Sequence, residues 1–109
     1  MTIEKVLKIY VPMTESAFYI LISLSVPRHG YGIIKHVQEL TNERLVLGSG
    51  TIYGTLKKMQ RDGIVSVYAD ESRKIIYEVS DTGKALMRHE MGRLKELYTN
   101  VLMYEEEFQ

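Results

Sequence analysis

The sequence predicts a mainly α, α+β fold: a winged helix-turn-helix with a two-stranded wing and a long C-terminal dimerisation helix. Three observations lead there. Apolar residues recur at helical spacing through successive segments before residue 63. The period then changes to two over Ile64–Ala69 and again over Lys74–Val79, as in a short hairpin. After Ser80 a helical stripe returns and runs to the end of the chain.

At 109 residues the chain is expected to form a single compact body, divided into residues 1–79, the winged helix, and 80–109, the final helix. Hydrophobic residues at 45% and charged ones at 26% are ordinary for a globular protein. With no cysteine, disulfides and thiolate metal sites are excluded. No apolar run approaches the ~20 residues of a membrane span. Met1-Thr2-Ile3-Glu4-Lys5 lacks the basic-then-apolar pattern of a secretory signal, so a cytoplasmic location is expected.

Residues 1–12 carry Ile3, Val6, Leu7 and Ile9-Tyr10, a short amphipathic helix ended by Pro12 that must pack on something to persist. Thr14-Glu15-Ser16 supplies an N-cap and a first-turn acid for a helix that is apolar almost all round from Phe18 to Leu24. Pro27 stops it, and Arg28-His29-Gly30 reads as a tight connection. Tyr31–Thr41 reads as the next helix, with Ile33, Ile34, Val37 and Leu40 inward and Asn42 at its end.

The helix from about Ser49 to Asp62 organises the rest. Ile52, Leu56 and Met59 share one face, and Gly63 stands where a helix C-terminus favours glycine. The opposite face collects Gly50, Gly54, Lys57, Lys58 and Arg61, flanked by Thr51 and Tyr53. Two glycines inside a helix cost roughly 1 kcal/mol each against alanine, which makes sense where another molecule approaches the backbone. From Arg44 to Arg61 there are four cations and no acid, whereas from Ser80 onward acids outnumber cations six to four. The net charge of zero therefore conceals a basic surface, and local potential decides where a polyanion docks. A nucleic-acid duplex fits this face: hydroxyls and amides at the helix start toward phosphates, with cations further along. A solvated cationic face is the plain alternative.

Asp70-Glu71-Ser72-Arg73 reads as the polar tip of the hairpin, its basic side at Arg73-Lys74 within reach of phosphates or the minor groove. Ser80-Asp81-Thr82-Gly83 caps the last helix. Leu94, Leu97, Val101, Tyr104 and Phe108 step along it by threes and fours, with Met87, Met91 and Tyr98 beside them. A helix of about 25 residues reaches nearly 40 Å, past the body of so small a protein. Its seam is expected to meet the same helix of a second chain, a homodimer. Met87, Met91 and Met103 with Tyr98 and Tyr104 offer either plain interface core or an adaptable pocket for a small-molecule effector.

The sequence resembles the PadR family of bacterial transcriptional regulators. The matching pieces are Arg28-His29-Gly30-Tyr31-Gly32-Ile33, Gly50-Thr51-Ile52-Tyr53 with Leu56, Asp62-Gly63-Ile64, Arg73-Lys74 before Tyr77, and Thr82-Gly83. The length, with one helix after the wing, is similar to the short subfamily, whose C-terminal helix mediates dimerisation. The resemblance implies a dimeric DNA-binding protein, usually a repressor of a nearby operon released by a small molecule or stress signal. It implies a phosphate contact for Tyr31, places Thr51, Tyr53 and Lys57 at the recognition surface, and gives Arg73 and Lys74 to the wing. Two departures stand out: Gly54 occupies a position that is often proline, and the wing tip lacks glycine while Asp70-Glu71 adjoins its cations.

The DNA-binding set expected is therefore Tyr31, Ser49, Thr51, Tyr53, Gly54, Lys57, Lys58, Arg61, Arg73 and Lys74, acting on a double-stranded inverted-repeat operator. Tyr53 could equally be a core tyrosine. No cofactor is expected, and His29, His36 and His89 are too dispersed for a metal site. No nucleophilic triad, P-loop or dinucleotide fingerprint appears, so an enzyme is not expected. The competing class is a winged-helix protein–protein adaptor without direct DNA binding. The acid-free face favours DNA.

Overall fold

A computed structural model describes residues 1–109 as four helices, a small antiparallel sheet and one long final helix. Helix α1 (Ile3–Tyr10) is capped by Thr2, whose side chain accepts from the Lys5 amide, and it buries Val6 and Tyr10. Helix α2 (Glu15–Ser23) begins at the Thr14 cap the sequence announces, with Thr14 Oγ1 3.1 Å from the Ala17 amide. It ends at Ser23, four residues before Pro27, because Leu24 and Ser25 already turn back to bond the Leu21 and Ile22 carbonyls.

Arg28-His29, expected as a connection, forms a short strand β1 paired with Tyr77 and Ile76. The sheet is thus three-stranded, in the order β1-β3-β2, with β2 spanning Val65–Glu71 and β3 spanning Lys74–Val79. Two residues are too few to show a period of two, so the sequence carries no sign of β1. The wing also differs at its tip. Asp70 and Glu71 pair with Ile75 and Lys74 as ladder residues, which leaves Ser72 and Arg73 alone as the turn. Both have positive φ, 39° and 75°, as a two-residue hairpin demands. A register shift between Val67 and Ala69 leaves Tyr68 as the extra residue of a bulge.

Helix α3 (Gly30–Leu40) is capped by the His29 imidazole, whose Nδ1 accepts the Gly32 amide at 3.1 Å. Ile33 and Val37 are fully buried, but Leu40, expected inward, is half exposed. The helix stops there: Thr41 Oγ1 returns to the Val37 carbonyl, and Asn42 and Glu43 turn left-handed. Helix α4 (Ser49–Arg61) buries Ile52, Leu56 and Met59 completely, the stripe read from the sequence. Its N-cap is Gly48, without a side-chain bond, and Ser49 is the first helical residue, as expected from the sequence. Gly63 (φ 77°) closes the far end in the left-handed conformation glycine favours.

Helix α5 (Asp81–Tyr104), continued by a 3₁₀ turn over Glu105–Phe108, starts from Ser80, which accepts the Gly83 amide and donates to the Gly63 carbonyl at 2.6 Å. Its first turn presses on the sheet: a Cβ on Gly83 would run into the Ile64 carbonyl and lie 2.6 Å from Val79 Cγ2. Leu86, Met87 and Glu90 complete the core, and beyond Glu90 no residue is buried.

Two long-range polar contacts tie the N-terminus in. The Tyr10 hydroxyl donates to Asp62 at 2.7 Å, and the Met13 amide donates to Glu90 at 2.7 Å. Asp62 and Glu90 are both buried, and Glu90 also accepts from Arg93 at 2.5 and 3.1 Å. The Arg93 guanidinium, with the Met13 amide, holds the Glu90 carboxyl below its ordinary range against the opposing effect of burial.

Candidate nucleic-acid interface

Helix α4 turns Gly50, Thr51, Tyr53, Gly54, Lys57, Lys58 and Arg61 to solvent, with Ser49 exposed at its start. The glycines here differ in kind from Gly30 and Gly83. A Cβ at Gly48, Gly50 or Gly54 would meet nothing within 4 Å, so the chain's own packing does not require them. They leave a strip of bare helical backbone beside the cations, at a cost of roughly 1 kcal/mol for each helix-interior glycine.

The three cations sit differently. Lys58 Nζ lies 5.2 Å from the Tyr10 ring centroid, over its face, on the side of α4 turned to α1. Arg61 Nε stands 3.7 Å from Asp62 Oδ1 and remains largely exposed. Lys57 engages no neighbour and extends freely from the middle of the helix.

The second group forms a cleft. Tyr31 at the start of α3, Tyr53 on the flank of α4, and Arg73 and Lys74 at the wing tip come together around an open space of about 550 Å³. The sequence placed these four on three separate segments; the fold gathers them. His29, Ser72 and Tyr77 line the same cleft and were not foreseen there. Tyr77 carried two sequence signs, its place in an alternating strand and its position after Arg73-Lys74 in a family-matching stretch, and neither put it in a cleft. No carboxylate lines the cleft.

Tyr53 is neither wholly core nor wholly surface. Its ring lies against Gly30, where a Cβ would fall 2.6 Å from the ring, yet 45% of the residue stays exposed. Gly30 thus has a steric reason to be glycine: it admits the tyrosine that joins α3 to α4. Tyr77, below it, is 7% exposed, and burial, helped by the neighbouring Tyr53 phenol, raises its pKa and keeps it protonated.

The expected dimer residues divide. Met87 is buried in the chain's own core, and Leu94 is half-buried. Met91, Leu97, Tyr98, Val101, Tyr104 and Phe108 are exposed, Phe108 at 87%. Met87 and Met91 line a second cleft of about 310 Å³ between α2 and α5, with Leu21, Ile22 and Val79 and with Lys84 and Arg88 at its edge. No helix is long and apolar enough to cross a membrane.

The model of the transcriptional regulator PadR-like family matches residues 20–89. Similar solved structures include a transcriptional regulator from Clostridium thermocellum, at 18% identity and TM-score 0.68, covering 92% of this chain and 94% of that one. A PadR family transcription regulator from Clostridium difficile R20291 is 20% identical with TM-score 0.66, over 81% and 95%. A PadR-like transcription factor from Bacteroides fragilis is 24% identical with TM-score 0.64, over 80% and 85%. At these identities the likeness carries the fold. No curated protein matches the chain.

Proposed function

The chain belongs to the transcriptional regulator PadR-like family, a family of non-enzymatic DNA-binding regulators, and on that premise we propose that it is a sequence-specific repressor acting as a homodimer on an inverted-repeat operator. The observation that carries this reading is the exposed, acid-free face of α4 and its continuity with the basic cleft under the wing. Two copies of α4 enter successive major grooves about 10 bp apart, with Ser49, Thr51 and Tyr53 toward base edges at the helix start. Gly54 lets the backbone approach. Lys57, Lys58 and Arg61 hold phosphates, as do Tyr31, Arg73 and Lys74 across the cleft.

The homodimer is supported by the exposed seam of Leu97, Val101, Tyr104 and Phe108, apolar area that a second copy would cover. Release by a small molecule is supported by the Met-lined cleft between α2 and α5, at the junction where occupancy would change the angle of α5. Such a regulator works in the cytoplasm, on the DNA near its own gene.

Sedimentation of the pure protein with and without its own upstream DNA, at two salt concentrations, tests this reading. A dimer that binds the duplex tightly and loses affinity steeply with salt is expected. Lys57→Ala and Arg61→Ala should each weaken binding and lower the salt slope by about one unit. Unchanged affinity in both variants would overturn the assignment of this face. A stoichiometric protein partner, with no DNA affinity at moderate salt, would favour an adaptor.

A further inference from the structure

The cleft under the wing has a floor that the expected contact set leaves out. Tyr77 stands in the middle of β3, paired with Arg28 on one side and Val67 on the other. Its ring is almost wholly enclosed, at 7% exposure, yet its hydroxyl makes no hydrogen bond within the chain. Every side-chain polar atom that is completely buried in this protein has a partner. The Tyr77 hydroxyl therefore keeps an opening to solvent, and the cleft is the surface that Tyr77 lines.

What surrounds it is a set of donors. The Tyr31 and Tyr53 hydroxyls also lack partners in the chain, and Arg73 and Lys74 close the outer side. His29 uses Nδ1 to accept the Gly32 amide, which leaves its ring proton on Nε2. No carboxylate offers itself as an acceptor. A ring of O–H and N–H donors with two cations and no anion complements an oxyanion that accepts several hydrogen bonds at once.

We propose that the Tyr77 hydroxyl donates to a phosphate oxygen held in this cleft, making the floor of the sheet part of the anion site. The inference rests on the DNA-binding reading for where the phosphate comes from: a backbone phosphate beside the start of α4. The same chemistry would take the phosphate of a free nucleotide, and the experiment separates the two sources.

The test measures fluorescence anisotropy of a labelled duplex from the protein's own upstream DNA against the full chain and its Tyr77→Phe variant. The variant keeps the ring and removes only the hydroxyl. Affinity should fall roughly tenfold while the melting temperature holds, the scale of one hydrogen bond to a charged group. The salt slope should stay unchanged, because a neutral donor displaces no counterion. Combined with Lys74→Ala, the loss should be less than additive, since both groups serve one phosphate. Equal affinity in wild type and Tyr77→Phe overturns the proposal and leaves DNA binding standing.

If the wild type binds no duplex, the DNA reading fails, and adenosine monophosphate decides the proposal. Binding of that probe to the wild type but not to Tyr77→Phe supports a free-nucleotide site; binding to neither overturns it. Should Tyr77→Phe fold poorly, NMR titration of the wild type with the same duplex and with adenosine monophosphate replaces it. Tyr77 and His29 ring resonances that move together support the proposal, and resonances that stay still overturn it.

Discussion

Residues 1–90 and residues 91–109 are both rich in large apolar side chains, yet they treat them in opposite ways. All 22 buried residues lie at or before Glu90; the segment after it buries none and exposes Leu97, Tyr98, Val101, Leu102, Met103, Tyr104 and Phe108. Hydrophobic content alone therefore says little about where a core lies. Geometry decides. Before Glu90, α5 runs along α1, α2 and the sheet, so each turn finds a partner surface. After it, the helix outruns the body: the molecule is 54 Å long but only 34 and 21 Å across.

That contrast can be broken by measurement. The largest expected effect is Leu56→Ala, a fully buried position, which should cost about 3 kcal/mol in denaturant unfolding. Leu97→Ala should change stability by less than about 0.5 kcal/mol in dilute protein. At higher concentration the proposed dimer predicts a larger loss at Leu97, with a melting temperature that rises with protein concentration, because a second chain then covers the distal helix.

The glycines sharpen the comparison within the first region. Gly30→Ala should cost about 2 kcal/mol, because the new methyl displaces the Tyr53 ring. Gly54→Ala should gain up to about 1 kcal/mol, since the added methyl meets nothing and helix propensity improves. If Gly54→Ala nevertheless weakens duplex binding, the bare strip serves the partner and not the fold.

At the border between the regions, Glu90 gives a smaller, pH-dependent effect. Its folded pKa is depressed from the ordinary 4.5, chiefly by the Arg93 guanidinium. The stabilisation is complete above that ordinary value and is lost as pH falls through the folded one. Glu90→Gln should therefore flatten the acid side of a plot of melting temperature against pH, and an unchanged acid limb would deny Glu90 this role. Smallest of all, Glu15→Gln should leave the melting temperature where it was, because the Glu15–Arg44 pair lies exposed.

Local signals were legible in the sequence, and long-range ones were not. The Ile52-Leu56-Met59 stripe, the Thr14 and Ser80 caps, Gly63 and the two wing strands are each written in a few adjacent residues. Strand β1 was not, since two residues hold no period and pair only because β3 arrives beside them. Leu40 fitted the helical stripe but stands at the end, where the core stops. The Tyr10–Asp62 and Met13–Glu90 bonds join residues 52 and 77 positions apart, and nothing local marks either carboxylate as buried. At the candidate site, Tyr31, Tyr53, Arg73 and Lys74 could be named from the sequence, but the cleft they share, and Tyr77 at its floor, follow only from how the wing folds over α3 and α4.

Those two N-terminal bonds have a mechanical consequence. One comes from the last residue of α1 and the other from the linker just after it; one holds the end of α4 and the other the middle of α5. Hydrogen bonds of 2.7 Å weaken steeply once stretched by half an ångström or so. Turning α4 against the proximal half of α5 therefore strains these bonds or the short segment that joins them. The first thirteen residues thus bridge the two helices like a yoke, touching the C-terminal end of α4 through Tyr10 and the middle of α5 through Met13.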